Sequence, residues 1–138
     1  MNTNPDIHLE MQGNVAVVRL TRPTKRNALN DGLIASLRHI FENLPKEARA
    51  AVVAGEGEHF CAGLDLSELK ERDAGEGVYH SRSWHVALDR VQSGPVPVIA
   101  ALHGAVVGGG LELASACHIR VADESTFYAL PEIGRAHV

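Results

Sequence analysis

Val96-Pro97-Val98-Ile99-Ala100-Ala101-Leu102-His103-Gly104-Ala105-Val106-Val107-Gly108-Gly109-Gly110-Leu111-Glu112-Leu113 is the stretch that decides the fold. An apolar run, three consecutive glycines and a helical pattern follow one another. Val96–Leu102 reads as a buried strand, and a helix is expected from about Gly110 to Ala116. The glycines put bare backbone where a ligand can approach, and Glu112 falls in the first helical turn. Backbone N–H groups at a helix start favour negative charge. A carboxylate beside them can move a proton. Donors for an oxyanion next to a general acid or base point to chemistry at a carbonyl. The bland alternative is a tight strand-to-helix corner. A dinucleotide loop fails, because Gly108 and Gly110 begin G-x-G-x-x-G but Leu113 holds its last position. A phosphate loop fails because no Gly-Lys-Ser/Thr follows.

Outward from this stretch, the elements alternate. Ile7–Gln12 and Val15–Leu20 read as strands joined by Gly13-Asn14, a hairpin signal. A basic loop, Thr21–Asn27, precedes a helix from about Asp31 to Leu44 with Asn30 as its N-cap. Leu33, Ile34, Leu37, Ile40, Phe41 and Leu44 form its apolar stripe. Ala50–Ala54 is a short strand, Gly55–Gly63 a loop and Leu66–Arg72 a short helix. Asp73–Gly77 is polar and glycine-rich, so mobility is expected there. A helix from about Val78 to Gln92 ends at Gly94-Pro95. His118–Ala122 and Thr126–Ala129 are the last strand candidates. A hairpin followed by alternating helices and strands predicts an α/β architecture.

The bulk properties narrow the partners. With 138 residues, 45% of them hydrophobic, the chain can build one domain with a core. A formal net charge of -4 offers nothing to attract nucleic acid. Cys61 and Cys117 lack disulfide-like or metal-like spacing, which fits a reducing compartment. The N-terminus, MNTNPDIHLEMQ, has neither the basic nor the apolar region of a signal peptide. The longest apolar stretch, Val96–Gly110, contains His103 and four glycines and is too short to span a bilayer. The expectation is a cytoplasmic protein with no nucleic-acid, membrane or metal partner.

Three more segments carry chemistry. Phe60-Cys61-Ala62-Gly63-Leu64-Asp65-Leu66 also lies between a strand and a helix. By itself it is a turn with Asp65 as a helix cap. Beside the glycine turn it offers a second backbone N–H, and an oxyanion hole commonly needs two. Leu20-Thr21-Arg22-Pro23-Thr24-Lys25-Arg26-Asn27-Ala28-Leu29 is either a solvated basic loop or a contact to a phosphorylated ligand. Pro131-Glu132 alone says little.

Together, and in this order, the four segments resemble the crotonase (enoyl-CoA hydratase/isomerase) superfamily. The matching patterns are R-P-x-x-x-N-A-L, F-x-A-G-x-D-L, H-G-x-x-x-G-G-G-x-E-L and P-E, spread over Ile7 to Glu132. The resemblance implies a spiral of ββα units, incomplete at the C-terminus. It implies an acyl thioester of coenzyme A as substrate, with no separate cofactor. The backbone N–H groups of Ala62 and Gly109 would form the oxyanion hole. Glu112 and Glu132 match the two glutamates with which hydratases add water across a 2,3 double bond. Lys25, Arg26, Ala28 and Leu64 fall in segments that contact the adenosine part of coenzyme A. The complete protein would be a homotrimer or hexamer.

Elementary chemistry agrees with this picture. Adding water to an unsaturated thioester builds an enolate, whose oxygen two preorganised N–H donors stabilise. One proton leaves water while another reaches the alpha carbon, so two carboxyl groups in different protonation states suit the task. Glu112, near the positive helix end, is expected to be the ionised base and Glu132 the proton donor. Other reactions sharing the oxyanion hole are isomerisation, dehalogenation, decarboxylation and thioester hydrolysis. A coenzyme A-binding protein without turnover and an inactive fragment are the remaining alternatives.

Two departures from the family pattern stand out. His118 follows Cys117 where the family often has Asp, a position read as structural. After Glu132 the chain reads IGRAHV and stops, whereas the family continues for about as much chain again. Those six residues can be encoded by ATC GGA AGA GCA CAC GTC, which resembles a sequencing-adapter stretch. Residues 133–138 are therefore expected to be a non-native tail, and the chain is expected to aggregate through unburied apolar surface. His80 and His85 do not share a helical face, which argues against metal binding. Tyr79 and Trp84 are expected to pack in the core rather than line an acyl pocket. Cys61 lacks the His and Asn pattern of a cysteine nucleophile.

Overall fold

The computed structural model describes residues 4–68 and 74–131. In chain order the elements are β1 (Ile7–Gln12), β2 (Val15–Leu20), α1 (Asp31–Glu42), β3 (Ala50–Gly55), α2 (Ala74–Gln92) and β4 (Val98–Leu102). They are followed by β5 (Ala105–Val107), α3 (Gly109–Ala116), β6 (Ile119–Ala122) and β7 (Phe127–Ala129). The main sheet has the order β1-β2-β3-β4-β6, antiparallel in the first pair and parallel in the rest. The hairpin turns at Gly13-Asn14, as expected, with Gln12 opposite Val15 and Ile7 opposite Leu20. A second, smaller sheet pairs β5 with β7 in parallel.

The helices form for the reasons their sequences indicate, with shifted ends. Asn30 caps α1 by accepting the Leu33 N–H at 2.8 Å. Leu33, Ile34, Leu37, Ile40 and Phe41 are its buried stripe. The helix stops at Glu42 rather than Leu44, because Pro45 disfavours helical backbone at the residue before it. α2 starts at Ala74, four residues before the expected Val78, so Ala74–Gly77 is helical. Glycine propensity is a weak prior there, and the rest of the helix overrides it. Of the short helix expected at Leu66–Arg72, a 3-10 turn at Leu66–Glu68 is described, and residues 69–72 lie outside the described residues.

The apolar run divides in two. The first strand begins at Val98, after Pro97, which cannot donate to a ladder. Gly104, at φ +58°, then turns the chain so that Ala105–Val107 joins the second sheet. That strand is absent from the sequence reading.

Alternate residues of the main sheet face the helices. Ala16, Val18, Leu20, Ala51, Val53, Val98, Ala100 and Leu102 are buried on that side with Leu33, Leu37, Ala87 and Val91. The layering brings the loop before α1, the loop after β3 and the start of α3 to one end of the sheet.

Candidate active site

Two backbone segments meet at that end. Phe60-Cys61-Ala62 runs beside β5 through Phe60 N–H to His103 O at 2.8 Å and Cys61 N–H to Ala105 O at 3.0 Å. Cys61 O in turn accepts the Val107 N–H at 3.1 Å. The ladder carries Gly63 up to the glycine turn. A Cβ placed on Gly63, whose φ is +101°, would lie 3.6 Å from the Gly109 nitrogen. Only glycine fits such a backbone approach.

The loop before α1 clamps the first segment from the other side. Arg26 and Asn27 both take left-handed backbone, φ 53° and 58°. This conformation is uncommon for non-glycine residues but accessible to Asn. The buried Asn27 side chain holds it. Its oxygen accepts the Arg22 N–H at 2.8 Å, and its amide donates to Glu56 O at 2.9 Å and His59 O at 2.8 Å. Arg22 reaches Ala28 O and the buried Asp65 carboxylate, each at 2.8 Å. The Ser67 hydroxyl and the Arg22 guanidinium hold the Asp65 carboxyl down to about 2. Asp65 also accepts the Ser67 N–H at 3.0 Å, so it caps the short turn after it as expected. The roles of Asn27 and Arg22 were not read from the sequence, although both lie inside the R-P-x-x-x-N-A-L pattern.

The clamp corrects one site residue. The Ala62 N–H, expected in the oxyanion hole, donates to Arg26 O at 2.9 Å and points into the clamp. Leu29 N–H donates to Gly63 O at 2.6 Å, and Asp65 N–H to Leu29 O at 2.8 Å. A trans peptide directs the Leu64 N–H opposite to Gly63 O. The Leu64 N–H therefore faces away from Leu29 and has no hydrogen-bond partner among the described residues. Gly109 opens α3, so its N–H has no acceptor within the helix. Among the described residues, the N–H groups of Leu64 and Gly109 are therefore unused backbone donors on neighbouring segments.

Glu112 sits one turn along α3 and is exposed. It lines an open pocket of about 730 Å³ between α2 and α3, together with His85, Leu88, Leu111 and Leu130. Glu132 lies outside the described residues, as does the suspected tail, 133–138. The Lys25 and Arg26 side chains are exposed beside the clamp, whereas Ala28 and Leu64 are half-buried. Leu64, expected to touch the cofactor's adenosine, thus supplies the second free N–H as well. Burial pushes the thiols of Cys61 and Cys117 up to about 12, which leaves neither as a thiolate nucleophile. His118 is structural. Its Nδ1 accepts the Val98 N–H and its Nε2 contacts Gln92 O, both at 2.8 Å, joining the end of α2 to β4. Tyr79, expected in the core, is 75% exposed.

This end of the sheet thus presents unused backbone N–H groups at Leu64 and at the start of α3, with the Glu112 carboxylate one turn on. Residues 10–135 match the family model for enoyl-CoA hydratase/isomerase, and the chain belongs to that family. It is 35% identical over 132 residues to a short-chain-enoyl-CoA hydratase of Clostridium acetobutylicum, covering 94% of this chain and 51% of that protein. It is 34% identical to the mitochondrial Delta(3,5)-Delta(2,4)-dienoyl-CoA isomerase of Mus musculus, covering 88% of this chain and 41% of that protein. A crystal structure of a candidate enoyl-CoA hydratase from Rhodopseudomonas palustris superposes with a TM-score of 0.92 at 56% identity. That match spans 96% of this chain and 52% of the other. The fold is that of the crotonases. The chain spans about half the length of the relatives it matches.

Proposed function

We propose that the protein hydrates 2-enoyl thioesters of coenzyme A. The observation that carries this reading is the adjacency of the free Leu64 and Gly109 N–H groups, with Glu112 one turn further along α3. The thioester oxygen sits between the two donors. As water adds to the alkene, charge gathers on that oxygen, and the donors stabilise it without having to reorient. Glu112 takes the proton from water, and Glu132 delivers one to the alpha carbon. Lys25 and Arg26 are exposed cations suited to the phosphates of coenzyme A. The working protein is a cytoplasmic homotrimer or hexamer.

One observation favours a second reading. A dienoyl-CoA isomerase is nearly as similar to this chain as a hydratase is. Isomerisation also places charge on the thioester oxygen, as a dienolate formed by proton removal rather than water addition, and uses the same two donors. Crotonyl-CoA separates the two. Loss of the enoyl-thioester absorbance supports hydration, while conversion of a dienoyl-CoA without water addition supports isomerisation. Near-full hydration by Glu112→Gln or Glu132→Gln would sink the assignment of that residue as a proton carrier.

A further inference from the structure

Trp84, on α2, has no part in the chemistry above. Its indole edge stands against the glycine turn. A Cβ on Gly109 would fall 2.8 Å from Trp84 Cζ3, 3.0 Å from Cη2 and 3.5 Å from Leu29 Cδ1. The indole Nε1 is buried and meets no hydrogen-bond partner among the described residues. Packing alone therefore sets the ring's position. One turn back along α2, the His80 ring flanks it with centroids 5.7 Å apart and planes tilted by 44°. His80 Nδ1 lies 2.8 Å from Asp31 Oδ1 at the start of α1.

Glycine has no side chain with which to lock its own peptide, so neighbours must do it. Gly108 is held by its N–H to Ala129 O at 2.8 Å, and Gly110 abuts the Cys61 backbone. The nearest atoms at Gly109 are those of Trp84 and Leu29. Burying an indole N–H without an acceptor lowers stability. Phenylalanine would avoid that cost, but it is shorter and would not reach as far toward Gly109. We infer that Trp84 is a positioning residue for the oxyanion hole, its ring edge holding the Gly109 N–H on the thioester oxygen of an acyl-CoA. This rests on the reading of Gly109 as an oxyanion donor.

The test compares Trp84→Ala and Trp84→Phe with the unaltered full chain. It uses crotonyl-CoA turnover and the red shift of a bound cinnamoyl-CoA, which reports polarisation of the thioester carbonyl. Misplacing a reacting geometry by an ångström costs up to about a hundredfold, so Trp84→Ala should lower kcat roughly ten- to a hundredfold. KM should stay within about threefold, because the interaction is made in the transition state. Trp84→Phe should fall between, and the red shift should shrink in the same order. Trp84→Ala with unaltered kcat and red shift overturns the inference. A rise in KM alone, or equal losses in both variants, overturns it too, since these indicate an acyl contact or a role for the N–H. If Trp84→Ala does not fold, Trp84→Phe carries the test, and unchanged kcat in it is the overturning result. An unaltered protein that produces no red shift refutes the oxyanion reading itself, a different failure from a shift that ignores Trp84.

Discussion

At Gly109 the missing side chain matters more than the backbone angle. Gly109 is not among the positive-φ residues, so alanine could adopt its conformation. The obstacle is Trp84, whose Cζ3 would sit 2.8 Å from the new Cβ. Gly109→Ala must displace the ring or the peptide. Removing one oxyanion donor costs roughly 10²–10³ in kcat, so a tenfold or greater loss is expected even from partial displacement. Steady-state kinetics on crotonyl-CoA checks this. The two thiols give a second residue-scale prediction. Their folded pKa is raised from 9.0 to about 12, so the fold favours the neutral form. That contribution is complete below pH 9 and is lost as the pH rises through 12. Native protein at pH 8 should resist iodoacetamide at Cys61 and Cys117, and denatured protein should label at both, as mass spectrometry would count. That the Ala62 N–H is taken up by Arg26 O while the Leu64 N–H is free was not legible from the sequence. Which N–H of an extended segment is free depends on its pairing with Leu29, thirty-five residues away in the chain.

At the scale of elements, the loop before α1 and the loop after β3 act as one unit. Asn27→Ala would leave Arg22 N, Glu56 O and His59 O without their partner and place alanine at φ 58°. Each lost buried bond costs about 1–3 kcal/mol, so denaturant unfolding should show at least about 2 kcal/mol of destabilisation. The Arg22–Asp65 pair makes this unit acid-sensitive. Asp65 has its carboxyl lowered from 3.8 to about 2, so its contribution is present above pH 3.8 and is lost as the pH falls through 2. Melting temperatures measured across that window should fall in the unaltered protein, and the fall should be shallower in Asp65→Asn. The hairpin, the α1 stripe and the Asn30 cap were legible because each rests on residues adjacent in sequence or one turn apart. The early start of α2 and the separate strand β5 were not. Both are settled by distant packing, at the sheet end for β5 and along the later turns for α2.

For the whole molecule, the two faces of the main sheet differ. The helices cover the face bearing Val18, Val53 and Ala100. On the opposite face, Ile119 and Val121 of β6 are 55% and 60% exposed. In the second sheet, Phe127 and Tyr128 of β7 are 51% and 52% exposed. Among the described residues β6 pairs on one edge alone, with β4. Parallel sheets normally have both faces covered, and an apolar edge strand is a template for association. This 138-residue chain on its own should therefore self-associate. Light scattering on the purified chain should show species larger than a monomer. The double substitution Ile119→Lys and Val121→Thr should shift the distribution toward the monomer while the far-UV spectrum holds. A monodisperse monomer that unfolds cooperatively without those changes would refute the idea that this face drives association. If the substituted chain remained associated, the β7 pair, Phe127 and Tyr128, would be the next surface to alter. They lie beside Ala129, whose carbonyl holds the Gly108 N–H, so a loss of crotonyl-CoA turnover there would tie the exposed face to the glycine turn.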